Sequence, residues 1–358
     1  MKVCLTQAKK IIYLVLFFMT IGTSPLWAVK SASIVICAHT GAVLHQANAD
    51  AITHPASLTK MMTLYLTFKA LREKKLIFDK SLPVSKHASL AAPCKLWLKA
   101  GSTIAVRQAI LALVTKSAND AAIALAEALG KGSEVTFAKT MTATARKLGM
   151  RHTVFKNAHG LPNKQQVTTA RDMATLSLAL YRDFPEYYKF FKEQKFVYKG
   201  QVHLAHNKLL GKVKGVDGIK TGFVNASGFN LAASMVRGDK RVIAVVMGGE
   251  TSGARDKKMV KLLEASIVKI SGKKEKGQTD ASIDDLIHEI EKPKIQTAVY
   301  RASHKQHIKK IDAQASIDDI LKDLEKGSQQ IKIKKPKNKL KSKNNMKKKK
   351  KKKRTSRS

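Results

Sequence analysis

Residues 57–71 form the segment that most constrains the fold, because a helix over this stretch has almost no polar face. Its large apolar side chains include Leu58, Met61, Met62, Leu64, Tyr65, Leu66 and Phe68. A helix that is apolar all round is stable only when other elements cover it on every side. We therefore expect this helix at the centre of a domain that is large enough to bury it.

The remaining pattern predicts strands at both ends of one domain. Short β-prone runs on either side of the turn His39-Thr40-Gly41 indicate an opening hairpin. Near the other end, the apolar runs 216–223, 229–236 and 242–248 are separated by short polar turns, which predicts successive antiparallel hairpins. The sequence thus predicts an α+β fold, with one antiparallel sheet built from both ends of the domain, flanking helices and an inserted helical lobe.

Helical patterns fill the region between these strands. They cover residues 106–114, 120–129, 135–148 and 170–181. Thr169-Ala170-Arg171-Asp172 resembles a capping box, which would begin the last of these helices.

Three short motifs carry the candidate chemistry: Ser57-Leu58-Thr59-Lys60, Ser117-Ala118-Asn119 and Lys220-Thr221-Gly222. Ser57 and Lys60 are three residues apart, so at a helix start both side chains lie on one face. Burial in an apolar helix disfavours the charged form of a lysine, and a second cation at Lys220 would act in the same direction. Lys60 is therefore the candidate general base for Ser57, the candidate nucleophile.

The backbone around these motifs predicts an oxyanion site and a carboxylate site. The N–H of Ser57 has no intrahelical partner at a helix N-terminus, and the N–H of Phe223 on a strand edge would be the second oxyanion donor. Gly222 would let a substrate backbone approach closely. Lys220 would hold a substrate carboxylate, to which Thr221 offers its hydroxyl.

The motifs and their surroundings resemble the serine D-alanyl-D-alanine carboxypeptidases, the low-molecular-mass penicillin-binding proteins of peptidase family S11. The resemblance covers about residues 31–270 and is carried by the runs 55–63, 168–174, 216–223 and 228–234. It implies a β-lactamase/transpeptidase-like fold. It also implies removal of the terminal D-Ala from peptidoglycan stem peptides, sensitivity to β-lactams as inhibitors, and no metal or organic cofactor.

The same resemblance implies a role for each site residue. Ser57 becomes the acylated nucleophile and Lys60 its base, while Ser117 relays a proton and Asn119 contacts a substrate amide. Lys220, Thr221 and Gly222 form the substrate-binding strand. Arg255, which follows Met247-Gly248-Gly249 after a short loop, corresponds to a family arginine that helps to bind the terminal carboxylate. The segment 157–162 fits a family loop beside the site.

Two rival interpretations use the same three motifs. A D,D-endopeptidase that cuts peptidoglycan cross-links would need the same residues and stays open as the alternative. A β-lactamase of the related class deacylates with a glutamate before the third motif, and residues 135–185 contain no Glu. The sequence therefore predicts slow deacylation after reaction with a penicillin.

Other chemistry has weaker support. His203 and His206 are close in sequence, but their spacing and facing in a strand do not suit zinc chelation, and no Cys or acidic partner follows. A Ser-His-Asp hydrolase is disfavoured because no G-x-S-x-G motif is present. Cys37 and Cys94 could pair in an oxidising compartment, but we expect two separate, small buried thiols.

The start of the chain has the pattern of a secretory signal peptide. Lys2, Lys9 and Lys10 precede an apolar run at residues 11–21, which is short for spanning a bilayer. Cleavage is expected near Ala28, which predicts an exported protein of the periplasm or the outer face of the cytoplasmic membrane. The peptidase domain would then occupy residues 29–272.

Beyond that domain the composition changes twice. Residues 273–330 contain two copies of A-S-I-D-D, which predicts two short helices on a flexible arm. Residues 331–358 carry sixteen Lys or Arg and no acidic residue, so this tail should be disordered.

The formal net charge of +41 leaves about +22 on residues 29–272 alone. A polybasic protein could bind nucleic acid without specificity. An export signal instead favours an anionic envelope surface as the partner of the Lys-rich tail, and a solvated tail without a dedicated partner is the other possibility. Because the three motifs indicate an enzyme, a non-catalytic, polybasic envelope-binding protein is less favoured than the carboxypeptidase.

Overall fold

The computed structural model describes residues 31–271. Its strands are β1 (Ala32–Cys37), β2 (Val43–Ala47), β3 (Ser81–Pro83), β4 (Thr103–Ala105), β5 (Lys195–Tyr198), β6 (Gln201–Leu204), β7 (Val216–Val224), β8 (Gly228–Arg237) and β9 (Lys240–Gly249). Its α-helices are α1 (Thr59–Arg72), α2 (Lys86–Ser89), α3 (Val106–Val114), α4 (Asn119–Leu129), α5 (Glu134–Lys147), α6 (Ala170–Asp183), α7 (Pro185–Tyr188) and α8 (Ser252–Ser271). The predicted signal peptide, repeated helices and Lys-rich tail lie outside the described residues.

The main sheet has five antiparallel strands in the order β2-β1-β9-β8-β7. Its centre is β9, in which Ile243 and Val245 face one apolar cluster while Val242 and Ala244 face another. A strand that is covered on both faces reads as a continuous apolar run, as β9 does. The predicted α+β fold, with a sheet built from both ends of the domain, is confirmed.

Helix α1 lies in the larger apolar cluster, as its sequence predicts. All of its residues are buried except Lys69 and Arg72. It contacts α4, α5 and α6, and the ring of Phe68 packs against Phe184 and other aromatic side chains. Because α1 is held on several sides, its first turn is a rigid platform for the motif that begins at Ser57.

The ends of several elements follow local capping chemistry. A 3₁₀ turn, Ala56–Leu58, precedes α1, so Ser57 lies just before the regular helix. Thr169 caps α6 by accepting a hydrogen bond from the N–H of Asp172 at 3.0 Å, which confirms the predicted helix start. Within residues 31–271, no helix combines the length and apolarity that a bilayer crossing requires.

The two cysteines of the described region are both unpaired. Cys37 is buried in β1, as predicted, but Cys94 is exposed, so the prediction of a buried thiol is wrong there. Cys94 is held by its backbone rather than by its side chain, because its carbonyl accepts a hydrogen bond from the N–H of Asn119 at 2.7 Å. The loop thus fixes the start of α4 without needing to bury the thiol.

Candidate active site

The amine of Lys60 is the centre of a small polar cluster at the start of α1. It lies 3.1 Å from Ser57 Oγ, 2.7 Å from Asn119 Oδ1 and 2.6 Å from the carbonyl oxygen of His159. The side chain of Lys60 is completely buried. The structure therefore brings together the first two sequence motifs and one loop residue around a single buried amine.

Burial lowers the pKa of Lys60 well below its usual value, and the positive charge of Lys220 lowers it further. A neutral lysine amine has two N–H groups and one lone pair, whereas the cation has three N–H groups. Asn119 Oδ1 and the His159 carbonyl are acceptors, so they take both N–H groups of the neutral amine. The lone pair is then left facing the hydroxyl of Ser57, which is the arrangement that a general base needs.

Ser117 lies in the turn before α4, and Asn119 is the first residue of that helix. The side-chain amide of Asn119 is oriented because its Nδ2 donates to the carbonyl of Ala92 at 2.8 Å, which leaves Oδ1 for Lys60. Ser117 has a positive φ of 61° and is buried, and its hydroxyl has no hydrogen-bond partner within the described part of the chain. A buried hydroxyl without a partner is costly, which is consistent with a group kept for substrate.

Strand β7 supplies the third motif on the other side of Ser57. Gly222 lies against the 3₁₀ turn, because a Cβ added there would be only 3.0 Å from the backbone nitrogen of Ser57. Lys220 is buried and donates to the carbonyl of Thr221 at 2.9 Å. Burial, together with the charge of Arg255, lowers the pKa of Lys220 to about 7.

A partly buried polar network links β7 to β8, β9 and helix α7. Arg241 donates to both carboxylate oxygens of Asp217 at 2.8 Å, and Ser234 donates to the same carboxylate. The hydroxyl of Tyr188 donates to Ser234 at 2.9 Å. A bidentate arginine–carboxylate pair fixes orientation as well as distance. Asp217 is therefore anchored three residues before Lys220.

Two further residues named from the sequence are Arg255, near β7, and Phe223, within it. Arg255 is buried, donates to Asp256 Oδ1 and to the carbonyl of Asn230, and is close enough to Lys220 to lower its pKa. The side chain of Phe223 is half exposed, and its ring centroid lies 4.3 Å from that of Phe229. The carboxylate role of Arg255 and the oxyanion role of the Phe223 N–H stay predictions.

The loop at residues 157–161 is the part of the site that sequence reasoning left without an assigned role. Its His159 carbonyl accepts from Lys60, and its Ala158 carbonyl accepts from the hydroxyl of Thr63 at 2.6 Å. Gly160 has a φ of +92° and lies against the backbone of Ala56, where an added Cβ would be 1.8 Å from the carbonyl oxygen. Only glycine fits this close approach. In the sequence, the run Ala158-His159-Gly160 was the feature that could have indicated this role of the loop.

The carboxylate of Glu134, the first residue of α5, also contacts this loop. Glu134 Oε1 accepts from the N–H of Ala158 at 2.8 Å and lies 3.3 Å from His159 Nε2, while Oε2 lies 2.8 Å from Nε2 of the exposed His87. His159 Nδ1 accepts from the N–H of Leu161, so Nε2 carries the ring hydrogen. Burial is the main cause that lowers the pKa of His159 to about 3, and Lys60 and His87 lower it further only when they are protonated, so the ring is neutral.

Within the described part of the chain, the other histidines and acidic residues form no candidate metal site. Across residues 31–271, no group of three or more His, Cys, Asp or Glu side chains is placed to hold a metal ion. His203 lies in β6, and His206 lies in the segment between β6 and β7.

The sheet, the central helix α1 and the Ser57–Lys60 pair define the class of β-lactamase/transpeptidase-like proteins. Comparison with known proteins narrows this class. A sequence model of the peptidase S11 family, described as D-alanyl-D-alanine carboxypeptidase, matches residues 20–251. The chain belongs to this family.

Individual relatives agree with this assignment. The chain is 39% identical over 230 residues to the D-alanyl-D-alanine carboxypeptidase DacC of Escherichia coli, a match that covers 62% of this chain and 57% of the relative. The chain therefore spans well under two thirds of the length of that relative.

Solved structures show the same fold. Penicillin-binding protein 5 of Haemophilus influenzae matches with a TM-score of 0.64 and 33% identity, over 68% of this chain and 72% of the other. Penicillin-binding protein D2 of Listeria monocytogenes, in its ampicillin-bound form, matches with a TM-score of 0.60 and 32% identity, over 69% of this chain and 99% of the other.

Proposed function

We propose that this protein is a serine D-Ala-D-Ala carboxypeptidase that removes the terminal D-Ala from peptidoglycan stem peptides. The observation that carries the proposal is the buried Lys60 amine, whose two N–H groups are taken by Asn119 and His159 while its third position faces Ser57. Family membership supports the same activity.

The proposed reaction begins when Ser57 Oγ attacks the carbonyl of the penultimate D-Ala and its proton passes to Lys60. The N–H groups of Ser57 and Phe223 would stabilise the oxyanion. The bond to the terminal D-Ala then breaks, and its nitrogen takes a proton relayed through Ser117. Water finally hydrolyses the ester: Lys60 takes a proton from the water and passes it to Ser57 Oγ as the ester bond breaks, which releases the shortened stem peptide.

The leaving D-Ala carries a carboxylate, and the cations beside β7 suit it. Lys220 would bind this carboxylate together with the Thr221 hydroxyl, and Arg255 would add a second positive charge near Lys220. β-Lactams should acylate Ser57 in place of the peptide. The ampicillin-bound form of the Listeria relative supports this expectation.

Labelling with a fluorescent penicillin tests the proposal directly. The wild-type protein should form a stable covalent adduct, and Ser57→Ala should form none. Ser81→Ala changes an exposed serine of β3 and serves as the matched control, which should label normally. Label retained by Ser57→Ala, or no release of D-Ala from an acyl-D-Ala-D-Ala peptide by the wild type, would refute the assignment.

The same residues could cut cross-links instead of stem termini, so both substrates belong in the assay. A D,D-endopeptidase would release monomers from cross-linked muropeptide dimers faster than it releases free D-Ala from monomeric pentapeptides. We propose the carboxypeptidase as the main activity, and a dimer preference would reverse this order.

We also propose that residues 1–28 direct export and that the Lys-rich tail holds the enzyme at an anionic envelope surface. The sixteen basic residues of the tail support this proposal, because such a segment is attracted to anionic head groups within a Debye length. Truncation after residue 272 should weaken binding to anionic vesicles and lower the salt concentration needed for release, although residues 29–272 keep a charge of about +22. Unchanged vesicle binding by the truncated protein would contradict the tether.

A further inference from the structure

Trp97 is a large aromatic residue that the fold turns outward. It is 66% exposed, although Leu96 and Leu98 on either side of it are buried. The N–H groups of Leu96 and Leu98 donate to the buried carboxylate of Asp120 at 2.9 and 3.1 Å, so the backbone is fixed on both sides of the indole. Trp97 itself has a positive φ of 62°, which is unfavourable for a bulky residue. The loop therefore presents the indole to solvent in a fixed position.

Two further exposed apolar residues lie near this indole. Leu90, which follows α2, is 71% exposed, and Val135 in α5 is 65% exposed. The amine of Lys95 links the end of α2 to the indole, because it donates to the carbonyl of Ser89 at 3.0 Å and lies 4.5 Å from the ring centroid of Trp97. The contact between the first residue of α5 and the exposed histidine of α2, described above, brings α5 to the same short helix. We call Leu90, Trp97 and Val135 the Trp97 surface.

The charge around the Trp97 surface is positive. Residues 80–119 contain six Lys or Arg and no Asp or Glu. Among them, Lys86 and Lys99 are exposed. Glu127 and Glu134, on the neighbouring helices, both accept a hydrogen bond from side chains of this segment, so their charges are partly offset. An anionic partner would therefore meet basic side chains around an apolar centre.

A lipid bilayer with anionic head groups is the partner whose chemistry matches this arrangement. Tryptophan favours the interfacial region of a bilayer, because its ring is apolar while its N–H can stay hydrogen-bonded there. Exposed leucine and valine side chains bury apolar area in the same region, and lysines around them are attracted to anionic head groups. A glycan strand could stack on the indole, but it would leave Leu90 and Val135 without an apolar partner.

We propose that the Trp97 surface docks the peptidase domain directly onto an anionic bilayer, separately from the Lys-rich tail. Electrostatic attraction of a basic segment does not select an orientation of the domain, whereas an inserted indole does. The carbonyls of Ala92 and Cys94, in the same loop, accept from Asn119, so the docked bilayer would lie close to the active site. This attachment is independent of the reaction at Ser57.

Tryptophan fluorescence of the full-length chain separates this docking from binding through the tail. Trp27→Phe leaves Trp97 as the sole tryptophan. Sedimentation first establishes that this protein is bound to vesicles of phosphatidylglycerol and phosphatidylcholine at low salt. The Trp97 emission of the bound protein should then shift to the blue and be quenched by brominated acyl chains, because the indole leaves water. The control adds Trp97→Phe and Val43→Trp, which puts the only indole at an exposed position of the edge strand β2, where the emission should not change.

A charge placed within the Trp97 surface tests the same docking by mutation. Leu90→Glu should abolish the response of Trp97, because a carboxylate is costly to insert and is repelled by anionic head groups. Val43→Glu makes the same kind of change at the exposed apolar position on β2 and should leave the response intact. Penicillin labelling of both variants checks that the domain is folded. Leu90→Ser, a milder change that should reduce the response, replaces Leu90→Glu if the latter does not label.

Each outcome has a defined meaning. A blue shift of Trp97 on vesicles that is lost with Leu90→Glu and kept with Val43→Glu supports the proposal. Vesicle-bound protein with unchanged Trp97 emission would overturn it, since the tail or another surface would then bind alone. An equal shift of the indole at position 43, or no binding to vesicles at all, would also overturn it. A shift with soluble glycan fragments but not with vesicles would assign the surface to glycan instead of lipid.

Discussion

The two sides of Ser57 differ in how their polar groups are satisfied. On the α1 side, Lys60 is surrounded by three oxygen atoms at 2.6 to 3.1 Å. The second side consists of Ser117, in the turn before α4, and Lys220 of β7. The buried Ser117 hydroxyl lacks a partner among the described residues, and Lys220 is bonded to the carbonyl of the next residue along the strand. We call the Lys60 cluster the complete side, because the hydrogen-bonding positions of its amine are filled without a ligand, and the Ser117 and Lys220 groups the incomplete side.

This difference indicates that the two groups of residues have different roles in the site. Buried polar groups are almost always paired, and those that are not commonly have a functional reason. The complete side orients the amine of Lys60 without a ligand. In the proposed function, the incomplete side would supply donors and charge to the substrate carboxylate. Substitutions on the two sides should therefore have different kinetic signatures.

Removal of the base on the complete side should have the largest effect. Lys60→Met keeps much of the side-chain length but leaves Ser57 without a proton acceptor, so the rate of penicillin acylation should fall about 10²–10⁴-fold. Lys69→Met, at an exposed position of the same helix, is the control and should label at the wild-type rate. A Lys60→Met rate within tenfold of wild type would contradict the role of Lys60.

On the incomplete side, Lys220→Met should weaken recognition of the substrate carboxylate. Hydrogen bonds to charged groups contribute about 1.5–3 kcal/mol, so kcat/KM for an acyl-D-Ala-D-Ala peptide should fall roughly 10- to 100-fold. Because Lys220 is a cation only below its pKa of about 7, wild-type kcat/KM should also decline as the pH rises above 7. Lys220→Met should lack this alkaline decline, and a decline that persists in the variant would contradict the assignment.

The loop that completes the first side should be sensitive to Glu134. Glu134→Ala removes the acceptor for Ala158 and His159, which loosens the carbonyl that orients Lys60, so acylation should slow about tenfold. Glu134→Gln keeps an oxygen for the Ala158 N–H and should recover most of the rate.

Glu127→Ala is the matched control for this loop. Glu127 accepts from Ser85 Oγ at 2.9 Å, away from the segment 157–161. Equal slowing in the Glu127 and Glu134 variants would show that both act through general destabilisation instead of through the loop.

The smallest effect concerns stability and pH. The folded-state pKa of Lys220, about 7, is below the usual lysine value of 10.5, so between these values the unfolded chain binds more protons than the folded protein. Stability must then rise with pH in this window. Urea unfolding at pH 7 and pH 9 should show a smaller gain for Lys220→Met than for wild type. An equal gain would mean that the buried amine does not titrate in this range.

Much of the fold could be predicted because its signals are local or periodic. The all-round apolar pattern of α1 required a central position, and the apolar runs separated by short turns required antiparallel strands. The i, i+3 spacing of Ser57 and Lys60 placed both side chains together before any tertiary contact was known. The exposure of Cys94 was not predictable, because it depends on which atoms of a loop the neighbouring helix binds.

The sequence by itself determined the order of elements and predicted a candidate nucleophile and its candidate base, because short spacings and hydrophobic periodicity act within a few residues. Only the tertiary structure decided that Asn119 and the His159 carbonyl take the two N–H groups of Lys60, and that Glu134 supports this loop. These contacts join residues far apart in the chain. Their directions depend on packing geometry, which no local pattern encodes.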